Sequence, residues 1–540
     1  MNENVDQNIQ SSIPQQSEPM PPFASMPPMN GVSGWVYGAH GRRRLNNAVS
    51  AIFPKWLTRN ALIVYILALA IVSFMYSAYS MPWYYMLSGV VAVMVFFLYG
   101  STAIKDTSLD KIRKDSRFEK RIFLIAFIPR VIWMFLIYTI FMQNYGDAFG
   151  FENGDATFYD SLGQDFANNI KNGSFIEYFK KTNDIVDLSD LGYAVYVGLI
   201  YLITGSEGVK TGIGIGGTDF AIIALRMLKC LWSSLTVVLI YRLAKRNFDA
   251  QMARLSAIFC ALWPNFWYYC GVHIKETEMV FLGVLFVEQA DQMLRSRQFT
   301  LWKIAPVLLI ASSLFTIRTP LALVAFLSLI FSVVMSSTKV VSWGKRITVG
   351  VLALLLIGVT LGNQIQEQAR GLVDTVKSNE QEINMSWRAE REHGNSFAKY
   401  AGKSVFAPLI FTIPFPSMVR PWEGQEVQQL LNGGNFVKNI LSGFTIFAMV
   451  MLLVSGKWRE HLLPLSFLLG YLVVLTMSTF AQSERFHQPA MPFEFMFAAY
   501  GLSIAVTQKK YKRWFTYWCG LMFVACIAWN WFKIAGRGLA

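Results

Sequence analysis

DFAIIALRMLKCLWSSLTVVLIYRLAKRNFDAQMARLSAIFCALWPNFWYYCG, residues 219–271, decides the fold class. Two apolar runs, 219–243 and 252–271, flank a turn at 242–254 that holds four Lys/Arg. Each run has about the 20 residues that a helix needs to cross a hydrocarbon core. The pattern reads as two membrane spans joined by a basic turn.

Working outward, the same pattern recurs. Thirteen stretches are long and apolar enough: near 61–79, 82–100, 122–142, 219–243, 252–271, 277–294, 301–317, 320–336, 347–363, 435–455, 462–479, 490–507 and 514–533. Two shorter runs, 191–204 and 404–415, read as re-entrant or interfacial elements. The expected fold is therefore all-α and integral to the membrane, with about 13 transmembrane helices and two sizeable outer loops, 143–218 and 364–434. Composition agrees. The 540 residues are 54% hydrophobic and only 15% charged, with a mean hydropathy of +0.37. Soluble proteins carry about 25% charged residues, so a string of soluble domains is excluded, as is disorder over most of the length. Cys230, Cys260, Cys270, Cys519 and Cys526 all lie in apolar runs, which fits core packing and not a disulfide framework. The net charge of +14 does not point to nucleic acid, because the cations lie beside apolar segments.

Those cations set the direction. Alternate loops, beginning with 101–121, hold 23 Lys/Arg, whereas the intervening short loops hold only Lys275, Arg318 and Arg485. Lys and Arg are retained on the cytoplasmic side. The N-terminus is thus expected inside the cytoplasmic membrane, and the C-terminus and the polar working face outside. A full crossing by 191–204 would turn every later basic loop outward, so this run is expected to dip in and return. Residues 1–50, rich in Gln, Ser, Pro, Met and Asn, lack an apolar signal-peptide core and read as a disordered cytoplasmic tail. Arg42, Arg43 and Arg44 would lie against the anionic leaflet. Residues 51–540 form the membrane domain.

The polar residues gather on the outer face. QNYGDAFGFENGDATFYDSLGQDFANNI, residues 143–170, carries Asp147, Glu152, Asp155, Asp160 and Asp165. Asn153-Gly154 is a turn signal, Asp155 a candidate N-cap, and Phe158, Tyr159, Leu162 and Phe166 recur at helical spacing. A carboxylate at the start of an amphipathic surface helix suits a general base for an acceptor hydroxyl. PNFWYYCGVHIKETE, residues 264–278, packs His273, Lys275, Glu276 and Glu278 into a short turn. His273 with these carboxylates could hold a divalent metal, although an interfacial turn accounts for them equally well. Arg318 in TIRTP, and Arg485 and His487 in SERFHQPAMPFEF, are outer cations against the charge bias and would suit a lipid-linked phosphate. Glu494, a carboxylate within a span, is expected to be functional and paired with a cation, and Arg130, Arg226 and Lys229, also within spans, could each be a structural ion-pair partner. GIGIGG at 212–217 follows no strand and is no nucleotide cradle, and no Walker A, HExxH or paired CxxC motif occurs.

Taken in order, these segments resemble the polytopic glycosyltransferases of the GT-C class, in the protein-mannosyltransferase and aminoarabinose-transferase-like branch, over roughly residues 120–510. The family places an acidic pair, then Tyr four residues later, in its first large outer loop. Asp155 and Tyr159 match, while Ala156 stands where many members have the second acid. Arg226 matches the basic-turn span pair, Glu276 an outer-face Glu, and Arg485, Phe486 and Pro489 a late Arg-aromatic-x-x-Pro segment. The resemblance implies an inverting transfer of sugar from a polyprenyl-phosphate donor to a glycan, lipid or protein acceptor at the outer face. Asp155 would be the base, with Tyr159, Glu276 and His487 beside the substrate. Arg485, helped by Arg318 or Lys275, would stabilise the leaving phosphate. Some members use a divalent cation, for which Glu276 and His273 would be the ligands; others do not, and the metal stays open. No nucleotide is needed. Two other readings stand beside this one. A polysaccharide polymerase or ligase would rely on Arg and His of the late loop. A secondary transporter or lipid flippase would show pseudo-symmetric halves, and no internal repeat is visible.

Overall fold

The computed structural model describes residues 55–99, 115–150, 153–176, 178–179, 188–205, 219–296, 301–344, 346–347, 351, 408–420, 426–477, 481, 483–507 and 509–535. The expected tail at 1–50, most of the expected span 347–363, and residues 364–407 of the second outer loop lie outside them. Among the described residues the chain is helical, without a strand. In order come α1 (Lys55–Met75), α2 (Trp83–Met94), α3 (Asp115–Tyr145), α4 (Asn153–Lys171), α5 (Leu188–Thr204), α6 (Asp219–Asn247), α7 (Ala250–Leu262), α8 (Pro264–Cys270), α9 (Glu276–Arg295), α10 (Leu301–Ile317), α11 (Thr319–Met335), α12 (Asn432–Val454), α13 (Leu462–Met477), α14 (Met491–Thr507) and α15 (Lys509–Ala535).

Six of the described helical stretches are long and apolar enough to cross a membrane: Leu57–Met75, Arg117–Tyr145, Phe220–Asn247, Asn432–Val454, Glu484–Val506 and Arg513–Ile534. Several of the thirteen expected stretches are shorter apolar helices, among them Ala250–Leu262, Trp302–Ile317, Thr319–Met335 and Leu462–Met477. The expected span 252–271 shows why. Pro264 has no N–H to give the Cys260 carbonyl and divides the run into α7 and α8. Arg130 of α3 repairs the break. Its Nη2 donates to Cys260 O at 3.0 Å, Nη1 to Ala261 O at 3.1 Å and Nε to Ser233 Oγ at 2.8 Å. This buried cation therefore caps carbonyls instead of joining an ion pair.

Burial separates inner from outer helices. The span containing α14 is 89% buried, whereas those of α1, α3 and α15 are 33%, 28% and 28% buried and turn apolar side chains such as Ile132, Leu136, Leu521 and Val524 outward. α14 packs against α12 and α7, and α6 against α3, α7 and α9. Gly501 makes the first contact possible: a Cβ there would lie 2.1 Å from the Phe444 carbonyl oxygen. Glu494 accepts from Ser442 Oγ at 2.7 Å inside this packing, so its described partner is a hydroxyl and not a cation.

The polar residues form two layers at opposite ends of the bundle. At one end Arg246 pairs with Glu288 (2.7 Å) and Asp291 (3.0 Å), and Arg295 joins Asp291 (2.9 Å) to Asn247 (2.9 Å) and the Glu460 carbonyl (2.7 Å). At the other end lie α4, the turn 271–275, Arg318 and the segment 483–490. Two segments shape that second end. Residues 408–420 thread into the bundle without helix, and their carbonyls are taken up by α12: Lys438 donates to Ile413 O, Asn439 to Thr412 O and Ser442 to Phe411 O. Helix α5 covers the run 191–204, expected to be re-entrant or interfacial, and is too short to count among the candidate spans. It is one unbroken helix antiparallel to the first turns of α6, with Tyr193 beside Lys229, Tyr196 bonded to Trp232 at 3.0 Å, and Tyr201 packed near Ala221 and Leu225. Tyrosines and small residues along its length pack on α4 and α6. Gly163 and Gly198 let α4 and α5 cross closely, since a Cβ at either would lie 2.5 Å from Val197 or Phe166.

Candidate functional site

Asp155 stands in the first turn of α4, where a carboxylate offsets the exposed N–H groups and the positive helix end. Its side chain is 54% exposed. Arg485, from the short helix Glu484–His487, donates through Nη1 to Asp155 and through Nε to Glu276, which opens α9 and is only 2% exposed. One guanidinium thus links a solvent-facing carboxylate, 330 residues from it in sequence, to a buried one. The second oxygen of Glu276, Oε2, has no hydrogen-bond partner among the described residues.

A second ion pair lies alongside. Lys275 donates to Asp190, at the start of α5, and to the Ile317 carbonyl at 3.0 Å. Tyr159 donates its hydroxyl to the same Asp190 oxygen at 2.9 Å, and its ring lies 5.6 Å below the Lys275 ammonium. Burial pushes the Tyr159 phenol up, and the Asp190 carboxylate pushes it further, so the hydroxyl stays protonated as a donor. Burial lowers the Lys275 ammonium, while Asp190 opposes that shift and holds the proton on it.

Arg318 differs from its neighbours. As the extended N-cap of α11 it is half-buried, and its guanidinium lies 5.2 Å from the Phe486 ring, which Arg485 also approaches at 5.6 Å. Tyr471 fixes this aromatic by donating to the Phe486 carbonyl at 2.9 Å. Among the described residues Arg318 has no carboxylate partner. Arg485 and Lys275 have theirs.

The sequence-predicted residues therefore divide. Asp155, Tyr159, Lys275, Glu276, Arg318 and Arg485 come together. His487 does not join them: it is buried, with Nδ1 3.0 Å from Lys438 Nζ and Nε2 2.8 Å from Ala481 O, and it braces α12 against the loop. His273 is buried against the Phe149 ring at 5.2 Å, with neither nitrogen bonded among the described residues. Burial, with Arg226 and Lys229 nearby, holds its imidazole neutral, well below the ordinary histidine range. No hydrogen bond joins His273 to Glu276, and the described residues contain no group of three or more His, Cys, Asp or Glu that could hold a metal. These residues do not fit a metal site.

The remaining acids have structural tasks. Asp147 accepts from the Phe149 and Gly150 N–H groups at 2.7 and 3.0 Å, tying the turn that Arg226 holds through the Ala148 carbonyl. Asp160 is buried and takes hydrogen bonds from Tyr201 and Gln164. Lys229 pairs with Glu278 at 2.9 Å below the site. Ala156 sits in an apolar cluster with Ala148, Phe149 and Ile222, so a second acid there would be buried without a partner. Sequence reasoning missed Asp190. Its signal was an acid at the mouth of an apolar run. No protein-family model matches the chain, and no curated protein matches it either.

Proposed function

We propose that the protein is a membrane glycosyltransferase of the GT-C kind, which moves a sugar from a polyprenyl-phosphate donor to an acceptor hydroxyl at the outer face, with inversion. The observation that carries the reading is the exposed Asp155 carboxylate, held by Arg485 on a buried Glu276, beside an Arg318 without an acid partner among the described residues. A base must meet the acceptor from solvent, and Asp155 is the most exposed acid of this cluster, at 54% against 26% for Asp190 and 2% for Glu276. The leaving lipid phosphate needs positive charge as it departs, and Arg318 supplies it at the junction of α10 and α11. Arg485 is occupied by two carboxylates, so its role is to aim Asp155. Lys275 and Tyr159 fix Asp190 and with it the floor of the site. The acceptor proton passes to Asp155 while the acceptor oxygen bonds to the anomeric carbon, and the C–O bond to phosphate breaks. The lipid-facing outer helices fit a substrate arriving from the bilayer. About thirteen spans, a cytoplasmic N-terminus and an outward site belong to the same reading.

The test is release of polyprenyl phosphate from a panel of short-chain polyprenyl-phosphate hexoses and pentoses by the detergent-purified full chain. Asp155→Asn keeps the shape and the hydrogen bond to Arg485 but cannot take the proton, and should lose about 10²–10⁴-fold in rate. Arg318→Ala should weaken donor binding by about 1.5–3 kcal/mol. Normal turnover by folded Asp155→Asn would remove the assignment.

A further inference from the structure

At the opposite end of the bundle, away from Asp155, a cavity of about 350 Å³ opens between the end of α11 and the turn joining α12 to α13. Such a volume is at the small end of ligand pockets. Ser336, Ser337 and Thr338 line one side, Arg459 and Glu460 the other, and Arg346 closes it. The two walls are tied by a backbone bond from Ser337 N–H to the Arg459 carbonyl at 3.1 Å.

Its charges are not cancelled. Arg346 donates to the Val334 and Ser336 carbonyls at 2.9 and 2.6 Å, which fixes the guanidinium without neutralising it. Arg459 is exposed and has no acid partner among the described residues. The acid of the pocket, Glu460, is shared with Lys339 at 3.4 Å. Each arginine also lies over a tryptophan, Arg346 5.0 Å from Trp343 and Arg459 5.2 Å from Trp458. Tryptophan and arginine together mark headgroup depth. The wall continues into the outward-facing Val334 and Met335, 56% and 38% exposed, as an acyl chain would require.

We propose that this pocket binds the phosphate headgroup of an anionic phospholipid from the leaflet at the basic end of the bundle. Arg459 and Arg346 contact the phosphate, the serine and threonine hydroxyls hydrogen-bond the glycerol part, and the acyl chains run over Val334 and Met335. The site is separate from the transfer site, so its failure and that of the glycosyltransferase reading are distinguishable.

The experiment is native mass spectrometry of the detergent-purified full chain equilibrated with phosphatidylglycerol, phosphatidylcholine or glycerol phosphate. One retained phosphatidylglycerol in excess of phosphatidylcholine is expected. Arg459→Ala, which breaks no side-chain hydrogen bond among the described residues, should weaken retention about tenfold, and Thr338→Glu should abolish it. Equal retention of phosphatidylcholine, or unaltered retention by both variants, overturns the proposal. Displacement by equimolar glycerol phosphate would show that a soluble phosphate ester is the ligand and would overturn the lipid assignment.

Discussion

Arg485 joins one exposed carboxylate to one buried carboxylate, so cutting its two ion pairs should have opposite consequences. On the solvent side Asp155 is 54% exposed, and exposed pairs contribute about 0–1 kcal/mol. Asp155→Asn should therefore leave stability nearly unchanged while removing activity. Arg485→Met instead strands Glu276, which is 2% exposed and already has one oxygen without a partner. Removing one member of a buried pair costs about 3–5 kcal/mol, because the remaining charge has lost its compensation. Removing both charges also removes the desolvation penalty. Arg485→Met/Glu276→Met should then recover all but about 1–2 kcal/mol of that loss, although it remains inactive. Thermal unfolding in detergent, followed by tryptophan fluorescence beside size-exclusion profiles, reads the order. The expected sequence is wild type and Asp155→Asn highest, the double variant next and Arg485→Met lowest. An Arg485→Met protein as stable as Asp155→Asn, or a double variant no better than Arg485→Met, would refute the idea that the buried Glu276 depends on Arg485 as its partner.

Ala156→Asp places a carboxylate among Ala148, Phe149 and Ile222, and should destabilise the protein by about 2–5 kcal/mol without raising turnover; a stable, faster variant would show that the second acid is tolerated. His461 is held neutral by burial, with a value lowered to about 3, so the unfolded chain takes up a proton below the ordinary value of 6.5 and the folded chain does not. Its contribution is complete above pH 6.5 and is lost as pH falls towards 3, at about 1.4 kcal/mol per unit. His461→Phe keeps a ring beside Phe248, now 4.6 Å away, and should flatten the acid limb of the Tm–pH curve; an unchanged slope would assign that limb to other groups such as His273. For topology, the five native cysteines are buried and give little background. An impermeant thiol reagent on intact cells should label a cysteine at 378 and spare one at 116, and the reverse result would put Asp155 on the cytoplasmic side.

What could be read from the sequence depended on whether its physical cause was local. Apolar length is local, and long helices such as Asn432–Val454 stand where hydropathy placed them. Charge against the loop bias is local too, and Lys275, Arg318 and Arg485 do meet at one end of the bundle. Their division of labour was not legible, because it is set by partners hundreds of residues away. Arg485 looked like a free cation for phosphate until Glu276 and Asp155 took both sides of its guanidinium. Arg318 looked equivalent and is distinguished by the absence of a described acid partner. His487 sits two residues from Arg485 in sequence, yet about half a helical turn carries it under the surface to Lys438, since neighbours at that spacing face different sides of a helix. Asp190 was overlooked for the complementary reason. A single acid before an apolar run looks like a helix cap, and only the packing of α5 across α4 brings it beneath Tyr159 and Lys275. Thus Ala156, which departs from the expected acidic pair, has a tertiary explanation: its neighbour Asp155 faces solvent, while position 156, one residue on, faces the core. A single exposed carboxylate at the helix start is what this packing allows.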